Sequence, residues 1–314
     1  MEFWPSTTKY SFDRPLIEEY PPGHWEEDLF TEYEYCDSLD HMVAKWDQME
    51  PYNDCCPYLV SVPSSRASAG CVAVAGAQVL HYLHYKLGSP EVMFSQGYCD
   101  GNVNNFIKQF SYPNAEVWDL MSSEYQVSAQ YTLPEAILIG YVGERVNMHY
   151  ADNIIDDYSW AIPRNLKSDL FEHHGISCTH DNYDETIVAR CLSEEMPVIV
   201  FATDQMIPVN FRMHCFVIDG YMKSRIKYIH SHYYVVDDPT SGPYVLPDPY
   251  TTYSYSSSTI SFIKINWGWS TQWTDEKLND GWYALTGGWL VQNGGDSYTY
   301  DNNLKMIYDF VVTE

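Results

Sequence analysis

The hydrophobic pattern of the chain changes near residue 195. Before that point, apolar residues mostly recur at helical spacing, which predicts helices. The helical stretches are 71–83, 133–146, 161–174 and 184–194. After that point, the apolar residues form short β-rich runs between turn residues. These predict strands at 198–201, 215–218, 233–236, 260–265, 282–285 and 307–312. Helices followed by strands indicate an α+β fold with an antiparallel sheet, in which two lobes can hold a cleft between them.

The pattern also suggests how the chain is divided. Residues 1–40 are acidic, aromatic and proline-bearing. We interpret them as an N-terminal arm or the remnant of a pro-segment. The rest, 41–314, reads as one two-lobed domain, with a helical lobe over about 41–195 and a β-sheet lobe over about 196–314.

One predicted helix is apolar on nearly all sides, and a Gly70-Cys71 pair opens it. Such a helix is expected to be buried. A cysteine in its first turn lies at the positive end of the helix dipole, which favours the thiolate. A thiolate is a nucleophile when a base stands nearby. The alternative is a small buried cysteine at a tight helix-packing surface.

The charge balance narrows the choice of partners. The 314 residues include 17 basic and 43 acidic residues, for a formal net charge of −26. Such a chain repels nucleic acid and anionic lipid. No apolar run approaches the roughly 20 residues that span a bilayer, so no membrane-spanning segment is expected. The N-terminus lacks an export-signal pattern, so the signal of an exported protein would have been removed. The eight cysteines form no CxxC pair, which argues against a zinc ribbon.

A nucleophilic cysteine needs a base, and the β-rich part offers His214 at the head of a strong strand. Asn266 can accept the imidazole N–H, and Trp267 and Trp269 can shield that bond from water. Gln48, upstream of the cysteine, can donate an amide N–H to an oxyanion. The alternatives are a core-edge histidine, a tryptophan turn that serves only packing, and an ordinary loop amide.

Four motifs in order along the chain carry a family resemblance. They are Trp46-Asp47-Gln48, Ala69-Gly70-Cys71-Val72-Ala73, His214 with Phe216-Val217-Ile218-Asp219-Gly220-Tyr221, and Asn266-Trp267-Gly268-Trp269. The chain resembles the streptopain family of papain-like cysteine peptidases, in the form common among secreted enzymes of gut and oral Bacteroidetes. The resemblance runs from about residue 38 to the end.

The resemblance implies a papain-like two-lobed fold, with the cysteine on the helical lobe and the histidine on the β-sheet lobe. It implies Cys71 as nucleophile, His214 as general base and acid, and Gln48 as oxyanion donor. The Asn266-Trp267 stretch would support the histidine, although the motif leaves open whether the amide or an indole orients it. Gly70 and Trp269 would border the substrate groove. The implied substrate is a protein or peptide, and the reaction needs no metal or organic cofactor.

The chain also departs from the family pattern. Cys215 stands where a small residue is usual, and 223–258 is an insertion rich in Tyr, Pro, Ser and Asp. The expected function is a secreted or cell-surface cysteine endopeptidase, made with a possible inhibitory pro-segment. The alternatives are a papain-like acyl or amide transferase and a peptidase-like binding protein with weak or no catalysis.

Overall fold

A computed structural model describes residues 21–40, 42–88, 118–124, 132–151, 158–204, 213–245, 252–269, 281–293 and 296–313. Its α-helices are α1 (Cys71–Leu87), α2 (Pro134–Arg145) and α3 (Glu185–Ser193). A π-helix (Leu166–Phe171) and a 3-10 turn (Glu172–His174) follow α2. The strands are β1 (Gly23–Leu39), β2 (Ile176–Asn182), β3 (Val198–Thr203), β4 (Met213–Val236), β5 (Tyr244–Val245), β6 (Thr252–Asn266), β7 (Gly281–Ala284), β8 (Trp289–Asn293), β9 (Asp296–Tyr300) and β10 (Asn302–Val312). Within the described residues, no helix is long and apolar enough to cross a membrane.

The chain divides into two compact units. The first has the bounds Met1–Ser38 and Met222–Ser261, and the second has the bounds Leu39–Tyr221 and Phe262–Glu314. The first unit therefore combines the N-terminal segment with the whole of the predicted insertion. All seven site residues predicted from the sequence belong to the second unit.

The main sheet has the strand order β2-β10-β3-β4-β6-β7, and β1 and β5 also pair with β4. The pairings of β10 with β2 and β3, of β3 with β4, and of β6 with β7 are antiparallel. The structure thus confirms the predicted combination of helices with an antiparallel sheet. In the β3–β4 pair, Ala202 lies opposite His214, and Phe201 lies opposite Cys215. This register places His214 and Cys215, which are adjacent in the chain, opposite different residues of β3.

The second unit buries both faces of its sheet. On one face, Cys215 and Val217 of β4 join the apolar cluster that contains Cys71 and the rest of α1. On the other face, Phe216 and Ile218 join a second cluster with α3 and the tryptophans near residue 267. This alternation follows from the two-residue period of a strand.

Close helix packing holds α1 in the first of these clusters. A Cβ added at Gly76 would lie 2.4 Å from Cδ2 of Leu166 and 3.0 Å from Cγ1 of Val142. Both neighbours are fully buried, so they have little room to move. Glycine at this position lets α1 approach α2 and the π-helix.

Gly76→Val is therefore expected to lower the free energy of unfolding by about 1–3 kcal/mol, because it overpacks this contact. Urea unfolding followed by circular dichroism measures the change. Lys86→Ala on the exposed side of the same helix is the control, since its solvent-screened ion pair with Glu195 contributes little to stability. Equal stability of Gly76→Val and the parent chain would contradict the packing described.

Candidate active site

Cys71 is the first residue of α1, and Gly70 is the N-cap residue before it. The φ angle of Gly70 is 85°, a left-handed value that favours glycine. A Cβ there would also lie 2.7 Å from Sδ of Met148. Conformation and space thus both require glycine next to the cysteine. The thiol is held where the free N–H groups of the helix begin.

Two opposing effects act on the Cys71 thiol, which is only 9% exposed. Burial raises its pKa. Hydrogen bonds from the backbone N–H groups of Cys215, Val72 and Cys71 itself act in the opposite direction. The Cys215 amide belongs to β4, so this contact places the start of β4 against the start of α1. The residue before it is His214.

The second thiol near the site, that of Cys215, is fully buried in the same apolar cluster. Burial raises its pKa well above the ordinary value, and the charge of Cys71 raises it further. A thiol with a raised pKa stays protonated at neutral pH and is a poor nucleophile. Cys71, with three amide donors, is the better placed of the two sulfurs.

A main-chain contact fixes the tautomer of His214. Its Nε2 lies 2.8 Å from the carbonyl oxygen of Trp267. A carbonyl oxygen only accepts hydrogen bonds, so Nε2 carries the proton and donates it. In the neutral ring, Nδ1 is then the nitrogen that can accept a proton.

Aromatic rings surround the imidazole of His214. The ring centroids of Trp269, Tyr300, Trp267 and Phe216 lie 4.3, 5.7, 5.8 and 6.0 Å from its own. Burial lowers the pKa of His214 to about 4, while the Trp267 carbonyl acts in the opposite direction. The imidazole is therefore neutral at pH 7 and can serve as a base.

The expected contact from the imidazole to Asn266 is replaced by the one to the Trp267 carbonyl. In the described contacts, Oδ1 of Asn266 accepts from Nε2 of Gln78 at 3.2 Å and from the Gly268 N–H at 3.1 Å. Its Nδ2 donates to the carbonyl of Ala44 at 3.0 Å. These three bonds already occupy the buried amide. Asn266 therefore fixes the backbone of the turn. The residue after it, Trp267, orients the histidine through its main-chain carbonyl.

Gln48 reaches the same turn from the other side. Its Nε2 donates to the carbonyl of Gly268 at 3.3 Å. The main-chain carbonyl of Gln48 accepts from the Ala69 N–H at 2.8 Å. Ala69 lies two residues before Cys71. The half-buried side chain thus lies in a loop that is tied to the start of α1.

The structure brings Trp267 and Trp269 to the imidazole of His214, and Gln48 to the carbonyl of Gly268 in the same turn. It also brings the Cys215 amide to the Cys71 sulfur. Among the contacts of the described residues, there is no hydrogen bond between the sulfur and the imidazole. Catalytic hydrogen bonds are often long in unliganded sites and tighten with substrate.

Comparison with known proteins adds the decisive observation. A family model, described as the peptidase C10 family, matches residues 46–283. The chain belongs to this family. It is therefore a cysteine-type peptidase, as the sequence predicted. A search of curated protein sequences gave no significant match.

Two solved structures show the fold that this C10 peptidase shares. Active wild-type interpain A cysteine protease of Prevotella intermedia is 21% identical, with a TM-score of 0.55, and the match covers 87% of this chain and 95% of that one. A mutant prointerpain A fragment from the same organism is also 21% identical, with a TM-score of 0.50, and the match covers 87% and 72% of the two chains. These matches confirm the papain-like fold.

Sequence reasoning missed Gln78 of α1 as a site residue of this C10 peptidase. Besides Asn266, its Nε2 contacts the carbonyls of Ala44 at 2.8 Å and Trp46 at 3.4 Å. A polar residue within the apolar first turns of this helix was the available signal, since buried amides need partners.

Two tyrosines were missed as well. Tyr283 meets the Trp267 indole N–H at 3.2 Å, and Tyr300 packs on the imidazole. Tyr283 lies in Gly281-Trp282-Tyr283, which matches the family and was the available signal, whereas Tyr300 lies in a tyrosine-rich stretch that carries no signal of its own.

Proposed function

We propose that this C10 peptidase is a secreted or cell-surface endopeptidase in which Cys71 and His214 form the catalytic pair. The observation that carries the proposal is the hydrogen bond from His214 Nε2 to the Trp267 carbonyl, 2.8 Å long. This bond leaves Nδ1 of His214 as the base. The backbone amide of the next residue, Cys215, contacts the Cys71 sulfur. A thiol and a base positioned by a third group form the usual activated nucleophile.

The proposed reaction begins with proton transfer from the Cys71 thiol to Nδ1 of His214. The thiolate attacks the peptide carbonyl carbon and forms a tetrahedral intermediate with a negatively charged oxygen. When the C–N bond breaks, the imidazolium gives its proton to the leaving amine. A water molecule, deprotonated by the imidazole, then attacks the thioester, which releases the acid and restores the thiol.

Burial influences the first step in two ways. It raises the pKa of the Cys71 thiol and lowers that of the imidazole to about 4, so separate charges are unfavourable in the empty site. The backbone N–H groups at the start of α1 and at Cys215 favour the thiolate. The attraction between thiolate and imidazolium adds to this effect, because charges interact strongly in a low-dielectric site.

Gln48 is the proposed side-chain donor to the oxyanion, together with the backbone N–H of Cys71. Support comes from its loop, which is bonded to Ala69. Its Nε2 contacts the Gly268 carbonyl at 3.3 Å, a long bond that a developing oxyanion can replace. A negatively charged acceptor forms the stronger hydrogen bond.

Gln48→Ala is expected to lower kcat about 10²–10³-fold with little change in KM, because the lost bond forms chiefly in the transition state. Steady-state hydrolysis of a fluorogenic peptide measures the split. Gln292→Ala, in the β8–β9 hairpin, is the control for the loss of a glutamine amide. A rise in KM with unchanged kcat would show that Gln48 binds substrate instead.

Export and an inhibitory pro-segment are part of the same proposal. The high acidic charge suits an extracellular protein. The prointerpain A match makes a pro-form a reasonable expectation for this chain. Gly70 and Trp269 are the proposed groove residues, since they adjoin Cys71 and His214 respectively.

The function is tested by incubating the chain with casein and a peptide library, and by mapping the products with mass spectrometry. An endopeptidase gives new termini at internal bonds, and pretreatment with an epoxysuccinyl inhibitor blocks them and labels Cys71. If the acyl part of the substrate is joined to an amine added to the reaction, and not hydrolysed, the result would support a transferase. Absence of both hydrolysis and transfer products, with Cys71 labelled no faster than other accessible thiols, would overturn the catalytic assignment.

A further inference from the structure

The first unit contains a cluster of three potential metal ligands that the peptidase reaction does not use. Glu27 lies on β1, and His230 and His232 lie two positions apart on β4. Their ligand atoms all lie within 4.8 Å of one another. Residues two apart on a strand project from the same face, so the two imidazoles meet the carboxylate from one side of the pairing.

The contacts within the cluster are specific to each donor atom. Nε2 of His230 lies 3.2 Å from Oε2 of Glu27. Nδ1 of His232 lies 3.0 Å from Oε1 of the same carboxylate. The ring centroids of the two histidines are 4.3 Å apart. One carboxylate thus holds two imidazole nitrogens at separations close to those between neighbouring ligands of one tetrahedral ion, whose bonds are each about 2.0–2.2 Å long.

The surrounding contacts keep these three side chains on one face. On the opposite face, the Tyr233 hydroxyl contacts carboxylate oxygens of Glu26 at 3.2 Å and Asp28 at 2.9 Å. The Ser231 hydroxyl donates to the Asp28 carbonyl at 3.4 Å. These bonds join β1 to β4 at the level of the cluster and fix which residues face each other.

Beside the cluster, an aromatic pair limits movement of the two strands. The rings of Trp25 and Tyr234 meet edge to face, with centroids 5.3 Å apart. The Tyr234 hydroxyl donates to the Pro21 carbonyl at 2.8 Å. A Cβ added at Gly23 would lie 2.2 Å from the Val235 carbonyl oxygen, so the backbones are also close there. The donors of the cluster are therefore partly preorganised before any ion arrives.

We propose that Glu27, His230 and His232 bind a divalent transition-metal ion such as Zn²⁺, with the fourth position left to water. Two imidazoles and a carboxylate are a common zinc donor set, whereas Ca²⁺ and Mg²⁺ prefer oxygen ligands. The net charge of −26 attracts cations to the chain. The ion joins β1 to β4, so its binding stabilises the first unit.

A surface hydrogen-bond network, in which the carboxylate accepts one N–H from each ring, is the competing explanation. A metal ion instead uses one nitrogen of each ring and the carboxylate at once, and the zinc titration separates the two. The side chains are 40%, 34% and 59% exposed for His230, His232 and Glu27, so an ion can reach all three from solvent.

The test is isothermal titration calorimetry of the untagged Cys71→Ser chain with ZnCl₂. The substitution removes the reactive thiol as a competing ligand. One ion is expected to bind. Glu27→Gln and His232→Asn are each expected to weaken binding at least about tenfold, since even groups that only support ligands contribute that much. His24→Asn is the matched control, because this exposed histidine pairs with Glu26 and Asp237 instead.

Amide exchange gives a second readout. Zn²⁺ is expected to slow exchange in β1 of the Cys71→Ser chain and of His24→Asn, but not of Glu27→Gln. Thermal unfolding in EDTA checks that each variant folds, and His230→Asn replaces any that does not. No zinc binding by the Cys71→Ser chain, or equal affinity in Glu27→Gln and His24→Asn, would overturn the site. Neither result bears on peptidase activity, which is tested separately.

Discussion

Cys71→Ser is expected to lower kcat/KM for peptide hydrolysis about 10⁴–10⁶-fold, because the reaction loses the nucleophile that forms the thioester. The substitution is nearly isosteric, so the start of α1 should keep its structure. Hydrolysis of a fluorogenic peptide measures the loss, and circular dichroism with thermal unfolding checks the fold. No epoxysuccinyl adduct should form at position 71.

The matched control for this variant is Cys178→Ala. Cys178 is another buried thiol, on β2, whose pKa burial raises to about 12. It lies outside the proposed site, so kcat/KM should stay within about threefold of the parent value while stability falls modestly. Cys215→Ala separates the two neighbouring sulfurs. If activity vanished in Cys215→Ala and survived in Cys71→Ser, the assignment of the nucleophile would be wrong.

His214→Ala is expected to cause a loss on the order of 10⁴-fold in kcat, because the thiol then has no base and the amine no acid. The space left among the rings of Trp269, Trp267 and Tyr300 should admit free imidazole. Added imidazole is therefore expected to restore part of the activity in a saturable way. A merely structural role for this histidine predicts no such rescue.

His174→Gln is the matched control for the histidine variant. Burial lowers the pKa of His174 to about 4, as it does for His214, and Nε2 lies 2.8 Å from the Tyr141 hydroxyl. The pKa values of the two histidines are lowered alike, although His174 is only half-buried, and their neighbours differ. His174→Gln should therefore keep nearly full activity, and equal losses in the two variants would indicate a general effect of losing an imidazole.

Much of the secondary structure of the second unit could be predicted because its local patterns agree with its packing. Gly70 and the apolar run after it placed a buried helix with Cys71 at its start. Helix α3 was also predicted, and its N-cap Asp184 accepts from the Thr186 and Ile187 N–H groups at 2.8 and 3.1 Å. Here local sequence and tertiary structure favour the same element.

Other elements depended on pairing between distant segments. The acidic stretch that forms β1 was interpreted as an arm, because its strand is defined by pairing with β4 and not by alternation of apolar residues. β4 itself is one 24-residue strand where two short strands were predicted. Its middle, 223–232, is mostly polar, with Ile226 and Ile229 too sparse to predict a strand, so only the structure joins the two ends.

The candidate site shows the same division. Residue types and their order along the chain indicated Cys71 and His214. The acceptor that orients the imidazole is a main-chain carbonyl, and any residue at position 267 has one. The bonds that occupy Asn266 come from Gln78 and Gly268, which only folding brings to it. Sequence thus predicts reactive side chains better than the backbone groups that orient them.

The central claim is that Cys71 and His214 exchange a proton. It is tested most directly by the rate at which iodoacetamide alkylates Cys71 between pH 3.5 and 10, followed by mass spectrometry in the parent chain and in His214→Ala. The account predicts that the parent reacts rapidly from just above pH 4, since protonation of the imidazole at its pKa of about 4 prevents the transfer. In the variant, reaction should begin only at alkaline pH, because burial raises the pKa of the Cys71 thiol. Identical pH profiles in the two proteins would contradict the account.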